Sequence, residues 1–181
     1  MLPSDHFVRF YNEVFKFLDE QGGLQAYYEE IGRHQELQCL ELFRRMGLRG
    51  VYEYYLKIYK EENCEGDLIF NGHELIIGMS RCPSLSKAID NDAGVCRKYC
   101  LHCPGWTDRL YTKAGLYRVY DLMGLDNPQC REWIYDDRKA AEAKYRELAG
   151  KTPPDQLFCN FDILRGGFDI NDHIDLDRER S

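Results

Sequence analysis

The sequence predicts an α+β fold: a helical N-terminal third, then a small antiparallel sheet with packed helices, in a single domain. Three observations carry this reading. Apolar residues recur at helical spacing through the first 62 residues, the period changes at Asn71-Gly72, and strand-like runs return on both sides of a turn at Gly124 to Pro128. A chain of 181 residues suits one shared core, and 44% apolar with 13% aromatic content exceeds what a disordered chain carries.

In the first helix Phe7, Tyr11, Val14, Phe15 and Leu18 follow a Ser4-Asp5 cap, and Gly22-Gly23 supplies the stop. A second helical stretch from Leu24 to Met46 puts Cys39, Leu40, Phe43 and Met46 on one side. Gly32 is expected to bend or split it, and Gly47 to end it. Val51, Tyr54, Tyr55, Ile58 and Tyr59 give a third helix, whose aromatic stripe reads as core packing in preference to a ligand-binding wall. Asp67 to Phe70 and Glu74 to Ile77 flank Asn71-Gly72 as a β-hairpin. Its second strand delivers Arg81-Cys82-Pro83 at its end, because Pro83 has no N–H for the ladder.

From Ser84 to Tyr111 short helical pieces are broken by Gly94 and by Pro104-Gly105. Leu116 to Met123 and Gln129 to Tyr135 read as antiparallel partners, and Asp136-Asp137 caps a charged helix from Arg138 to Ala149. Residues 1–150 form the domain. Residues 151–181 read as an extended arm that packs Phe158, Phe161, Ile163 and Phe168 across it before a frayed, acid-rich end.

Thirty-one acidic residues against 24 basic ones leave a net charge of −7, which excludes broad contact with nucleic acid or anionic lipid. No basic leader and no 18-residue apolar run is present, so a cytoplasmic protein without a membrane partner is expected. In that setting the eight cysteines read as free thiols, metal ligands or catalytic groups. There is no phosphate-binding glycine loop, Gly-x-Ser-x-Gly or His-Glu-x-x-His. Asp90 to Gly94 begins like a calcium loop, but Leu101 stands where its closing glutamate belongs.

The chemistry-bearing segment is Cys96-Arg97-Lys-Tyr-Cys100-Leu-His102-Cys103-Pro104-Gly-Trp106. If it is helical, Cys96, Cys100 and Cys103 stack on one face. Cys100-x-x-Cys103 with Cys130, Cys82, Cys96 or His102 suits tetrahedral zinc, while buried free cysteines packed as small hydrophobes are the plain alternative. Arg81-Cys82-Pro83 places a cation beside a thiol and makes Cys82 a candidate nucleophile, with His102 as the base. The spacing Cys-x3-Cys-x2-Cys also occurs in radical enzymes that use S-adenosylmethionine, but the helices upstream do not fit their barrel.

The order of hairpin, Cys82-Pro83, Cys100-x-His102-Cys103, Lys113-Ala-Gly115 and Gln129-Cys130-Arg-Glu-Trp-Ile134 resembles the L-2-amino-thiazoline-4-carboxylic acid hydrolase family over about residues 35 to 135. It is also similar to the 4-vinyl reductase domain, a small ligand-sensing module that can carry a cysteine-bound zinc. The first resemblance implies hydrolysis of a carbon–nitrogen bond in a cyclic, sulfur-containing amino acid. The nucleophile would be the Cys82 thiolate, or water on a zinc held by Cys100, Cys103 and Cys130, with His102 moving the proton in either case and Arg81, Arg97 and Trp106 anchoring the substrate. The second implies a small-molecule-binding or accessory subunit, with tyrosines of the third helix around an apolar pocket. A homo-oligomer is compatible with either.

Overall fold

The computed structural model describes residues 3–34, 38–90, 94–123 and 127–161. Four helices open the chain: α1 (Pro3–Glu20), α2 (Leu24–His34), α3 (Gln38–Met46) and α4 (Leu48–Glu61). The hairpin β1 (Glu65–Phe70) and β2 (Glu74–Arg81) leads into α5 (Pro83–Ile89). A 3-10 turn (Tyr99–Leu101) then precedes α6 (His102–Lys113), β3 (Tyr117–Asp121), β4 (Cys130–Tyr135), α7 (Arg138–Ala149) and β5 (Leu157–Cys159). The strands make one antiparallel sheet in the order β1-β2-β4-β3-β5. The α+β reading with a helical N-terminal part therefore holds.

Strand register decides what reaches the site. Met79 lies opposite Cys130 and Ile77 opposite Glu132, while Tyr120 also faces Glu132 and Arg118 faces Ile134. Opposed residues of an antiparallel pair share a face, so Cys130, Glu132, Arg118 and Tyr120 project to the same side. On that side Leu75, Ile77 and Ile134 pack with Phe43, Val51, Leu110 and Tyr111 of α3, α4 and α6. The other face buries Val119 and Tyr135 with Ala141 of α7 and Leu157 of β5. Behind α6 a third cluster joins Phe15, Tyr28, Leu85 and Tyr99. Helix α6 thus has two working faces, one against the sheet and one against the N-terminal helices.

Several elements fall where the pattern puts them. Asp137 caps α7 by accepting from Lys139 N at 3.1 Å, and Asn71 closes the hairpin by accepting from Glu74 N at 2.8 Å. Others differ, for reasons of packing. Helix α2 runs through Gly32, because the residue serves a helix crossing. A Cβ on Gly32 would lie 2.8 Å from Gly105 O, and one on Gly105 would lie 2.8 Å from Tyr28 Cβ. Pro104-Gly105 does not break α6 either, since Pro104 sits in its first turn, where a missing N–H costs nothing. Residues 96 to 103 are not one helix. Only Tyr99–Leu101 and the start of α6 are helical, so Cys96, Cys100 and Cys103 do not stack on a common face.

The core stripe of α1 is also re-phased: Phe15 is buried with Val8, Tyr11 and Leu18 around it, whereas Phe7 is 61% exposed. Beyond residue 150, β5 pairs with β3 as an edge strand, and Phe161 is buried against α7 and the sheet. Ile163, Phe168 and the acidic end lie outside the described residues, as do parts of the turns at Asp90 to Gly94 and Gly124 to Pro128. Among the described residues no helix is long and apolar enough to cross a membrane.

Candidate functional site

Cys82 leaves β2 and becomes the N-cap of α5, its sulfur accepting from Leu85 N at 3.4 Å. Its own N–H donates to Pro128 O at 2.5 Å, tying the hairpin exit to the approach of β4. Burial first, and Cys103 second, push the Cys82 thiol up.

His102 opens α6 with its ring wedged between Trp106, Tyr99 and Phe15, at centroid distances of 4.8, 5.0 and 5.8 Å. Its Nδ1 lies 2.5 Å from Tyr99 O and its Nε2 3.4 Å from Cys103 Sγ. A carbonyl can only accept, so the proton sits on Nδ1 and Nε2 takes the thiol hydrogen. Burial holds the imidazole down to about 4, against the weaker opposing hydrogen bond that it donates to the Tyr99 carbonyl, so it is neutral at pH 7.

Cys103 and Cys130 converge on the Tyr120 hydroxyl, which hydrogen-bonds both. Burial pushes Cys103 up to about 11 and raises Cys100 and Cys130 as well. The fold therefore brings Cys82, Cys100, Cys103, Cys130, His102 and Trp106 into one neighbourhood, with all four thiols protonated. It leaves Arg81 at the surface, 3.8 Å from Glu65, and Arg97 exposed. Among the described residues no group of three or more His, Cys, Asp or Glu side chains has the arrangement of a metal site.

On the other side of Tyr120 lies a group that the motif reading passed over. Arg118 is 1% exposed, with its guanidinium between the rings of Tyr111 and Tyr120, 5.1 and 4.8 Å from their centroids. Its NH1 donates to Thr107 Oγ1 at 2.6 Å and Glu132 Oε2 at 3.0 Å, and its NH2 donates to Asp108. Thr107 in turn donates to Cys103 O at 2.6 Å. Residues 103, 107, 108 and 111 fall at i, i+4, i+5 and i+8, the sheet-facing side of α6. Burial raises both carboxyls despite the opposing Arg118 charge. The signal was in the strands: Arg118 shares parity with Leu116, Tyr120 and Leu122, and Glu132 with Ile134, so both charges sit at inward positions.

Next to this cluster a groove of about 770 Å³ opens between α3, α4 and α6. Its walls are Cys39, Leu42, Phe43, Ile58 and Leu110, with Tyr54, Tyr55, Tyr111 and Thr107 as hydroxyl-bearing residues and the exposed Glu53 and Lys57 also lining it. Tyr111 donates to Tyr55 at 3.1 Å, and Phe43 stacks on Tyr111 at 5.8 Å. Burial, then the hydrogen bond with Cys39, pushes Tyr54 up to about 12. Thr107 and Tyr111 thus belong both to the groove and to the Arg118 cluster. No family model, no curated protein and no solved structure matches the chain.

Proposed function

We propose that the chain binds a small molecule in the groove between α3, α4 and α6. The single observation that carries this is the groove itself. Its volume of about 770 Å³ lies in the range of ligand sites, roughly 300 to 1,000 Å³, and apolar walls with a few convergent hydroxyls are how such sites are built. The ligand is an apolar or aromatic molecule with one polar group that meets the hydroxyls of Thr107, Tyr55 and Tyr111. The likeness to the 4-vinyl reductase domain supports the same reading. The eight cysteines, none of them in a disulfide, support a reducing, cytoplasmic setting.

Anilinonaphthalene sulfonate is a suitable first probe. Its fluorescence should saturate at one site per chain, and Ile58→Trp, which fills the groove from its rim, should weaken binding at least about tenfold. Equal binding by both proteins, with unchanged circular dichroism, would dismiss the groove as the site.

A second reading rests on the thiols gathered beside His102, and on the resemblance to the thiazoline hydrolases. Here the Cys82 thiol adds to the C=N carbon of a cyclic sulfur-containing amino acid and His102, neutral at pH 7, passes the thiol proton to the ring nitrogen; the ring C–N bond then breaks, the amine leaving with a second proton from the exocyclic amino group, and water displaces the Cys82 thiol from the carbon. Turnover of L-2-amino-thiazoline-4-carboxylate that survives Cys82→Ser removes Cys82 from the chemistry. A zinc on Cys100, Cys103 and Cys130 is a separate proposal. One zinc per chain by elemental analysis, with thiols masked until chelation, supports it; no zinc, and a thiol titration that chelation leaves unchanged, reject it.

A further inference from the structure

Helix α1 carries two apolar faces, and the core uses only one of them. The inner face buries Phe15 and packs Val8, Tyr11 and Leu18 around it. Asn12, fully buried, fixes the same face to the loop before the 3-10 turn, donating to Gly94 O at 2.7 Å and accepting from Cys96 N at 2.8 Å. On the outer face Phe7, Phe10 and Phe17 stand 61%, 62% and 61% exposed, with Val14 half-buried between them. Positions 7, 10, 14 and 17 are spaced three, four and three apart. That is the a-d-a-d spacing of a heptad seam over about three helical turns, the spacing with which one helix packs along another.

From this geometry we infer that α1 pairs antiparallel with α1 of a second copy of this chain. The 3-4-3 spacing reads the same in both directions, so a twofold axis beside Asn12 sets Phe7 against Phe17 of the other copy and Phe10 against its Val14. A self-complementary patch of this kind makes a closed dimer. The flank agrees. His6, Glu13 and Glu20 share one heptad position, and the antiparallel arrangement brings His6 of each copy to Glu20 of the other. Glu13, which meets its own copy near the axis, is already paired with Lys16 at 2.7 Å.

The area fits a modest association. A phenyl side chain buries roughly 150 to 250 Å², so three rings about 60% exposed offer on the order of 350 Å² per copy. Ile89, 41% exposed on the neighbouring α5, and the stems of the flanking residues extend that contact. Over both partners the rings supply about 700 Å², below the roughly 1,200 Å² of stable interfaces and in the class of weak, concentration-dependent pairs. A lipid surface is the weaker occupant. Helix α1 carries Asp5, Glu13, Asp19 and Glu20 against Arg9 and Lys16, and the whole chain is at −7.

Light scattering and sedimentation equilibrium on the full chain test this directly. The wild type should show a concentration-dependent monomer–dimer equilibrium. Phe10→Glu and Phe17→Glu should each weaken it at least about tenfold, with unchanged far-ultraviolet dichroism because both side chains are exposed, and Phe10→Leu should keep the dimer. A wild type that stays monomeric at its highest soluble concentration overturns the inference. So does a dimer that survives both glutamates, or flotation with phosphatidylcholine vesicles in place of self-association.

Discussion

The Arg118 cluster and the His102 cluster meet at Tyr120, yet they keep buried polar groups in opposite ways. Around Arg118 the charges stay, because a planar guanidinium reaches two carboxyls and a threonine at hydrogen-bond distance while two tyrosine rings cover its faces. Around His102 the charges are given up: the imidazole is neutral and the thiols keep their protons, joined by long contacts to sulfur and a shared tyrosine hydroxyl. Similar burial thus produces an ionic centre where rigid partners converge and a neutral one where only soft partners are in reach. The groove opens on the ionic side, through Thr107 and Tyr111.

The sharpest way to break this contrast is Arg118→Met. It leaves Asp108 and Glu132 buried without their cation and should cost about 3 to 5 kcal/mol, read from the urea midpoint. Adding Asp108→Asn and Glu132→Gln should recover part of that loss, because no charge is then left unpaired. A loss below about 1 kcal/mol for Arg118→Met would mean the cluster is not the ionic anchor described.

The neutral side makes the next largest prediction, in its pH dependence. The folded pKa of His102 lies near 4, against about 6.5 for an unfolded histidine. As pH falls the unfolded chain takes up this proton first, so stability is lost from about pH 6.5 down to about pH 4. The full difference is on the order of 3 kcal/mol. His102→Gln should lose this component, visible as a shallower fall of the urea midpoint between pH 7 and pH 4.5. An identical fall in both proteins would show that the imidazole is not held neutral.

The smallest effect belongs to Cys82→Ser. A hydroxyl caps a helix at least as well as a thiol, and the sulfur here accepts one amide at 3.4 Å, so stability should change by less than about 1 kcal/mol. A loss of 2 kcal/mol or more, roughly a core truncation, would place Cys82 among the packing residues that hold the two clusters together.

The sequence made the regular elements legible wherever one face had one environment. The charged helix after Asp137 and the strands on either side of residue 125 carry clean caps or alternation, and they appear nearly at their expected bounds. Where two environments compete, the pattern misleads. Helix α1 has apolar residues on both sides, so periodicity alone puts Phe7 inward with Phe15, although the core takes only one side. Gly32 and Gly105 read as breaks because glycine is cheap in turns, while here each makes room for a neighbouring helix. The thiols near His102 were visible as a motif. The Arg118 cluster had no local motif, since its members come from α6, β3 and β4 and only strand register unites them.

The crossing of α2 and α6 also sets how the groove can yield. With Gly105 against the Tyr28 ring and Gly32 against the Gly105 carbonyl, the back of α6 is already in close contact with α2 and leaves little space to close. A bulky guest therefore cannot gain space by driving α6 backward. The compliant wall is the α3–α4 pair, and entry of a larger molecule should swing those helices outward while the sheet and α6 stand still.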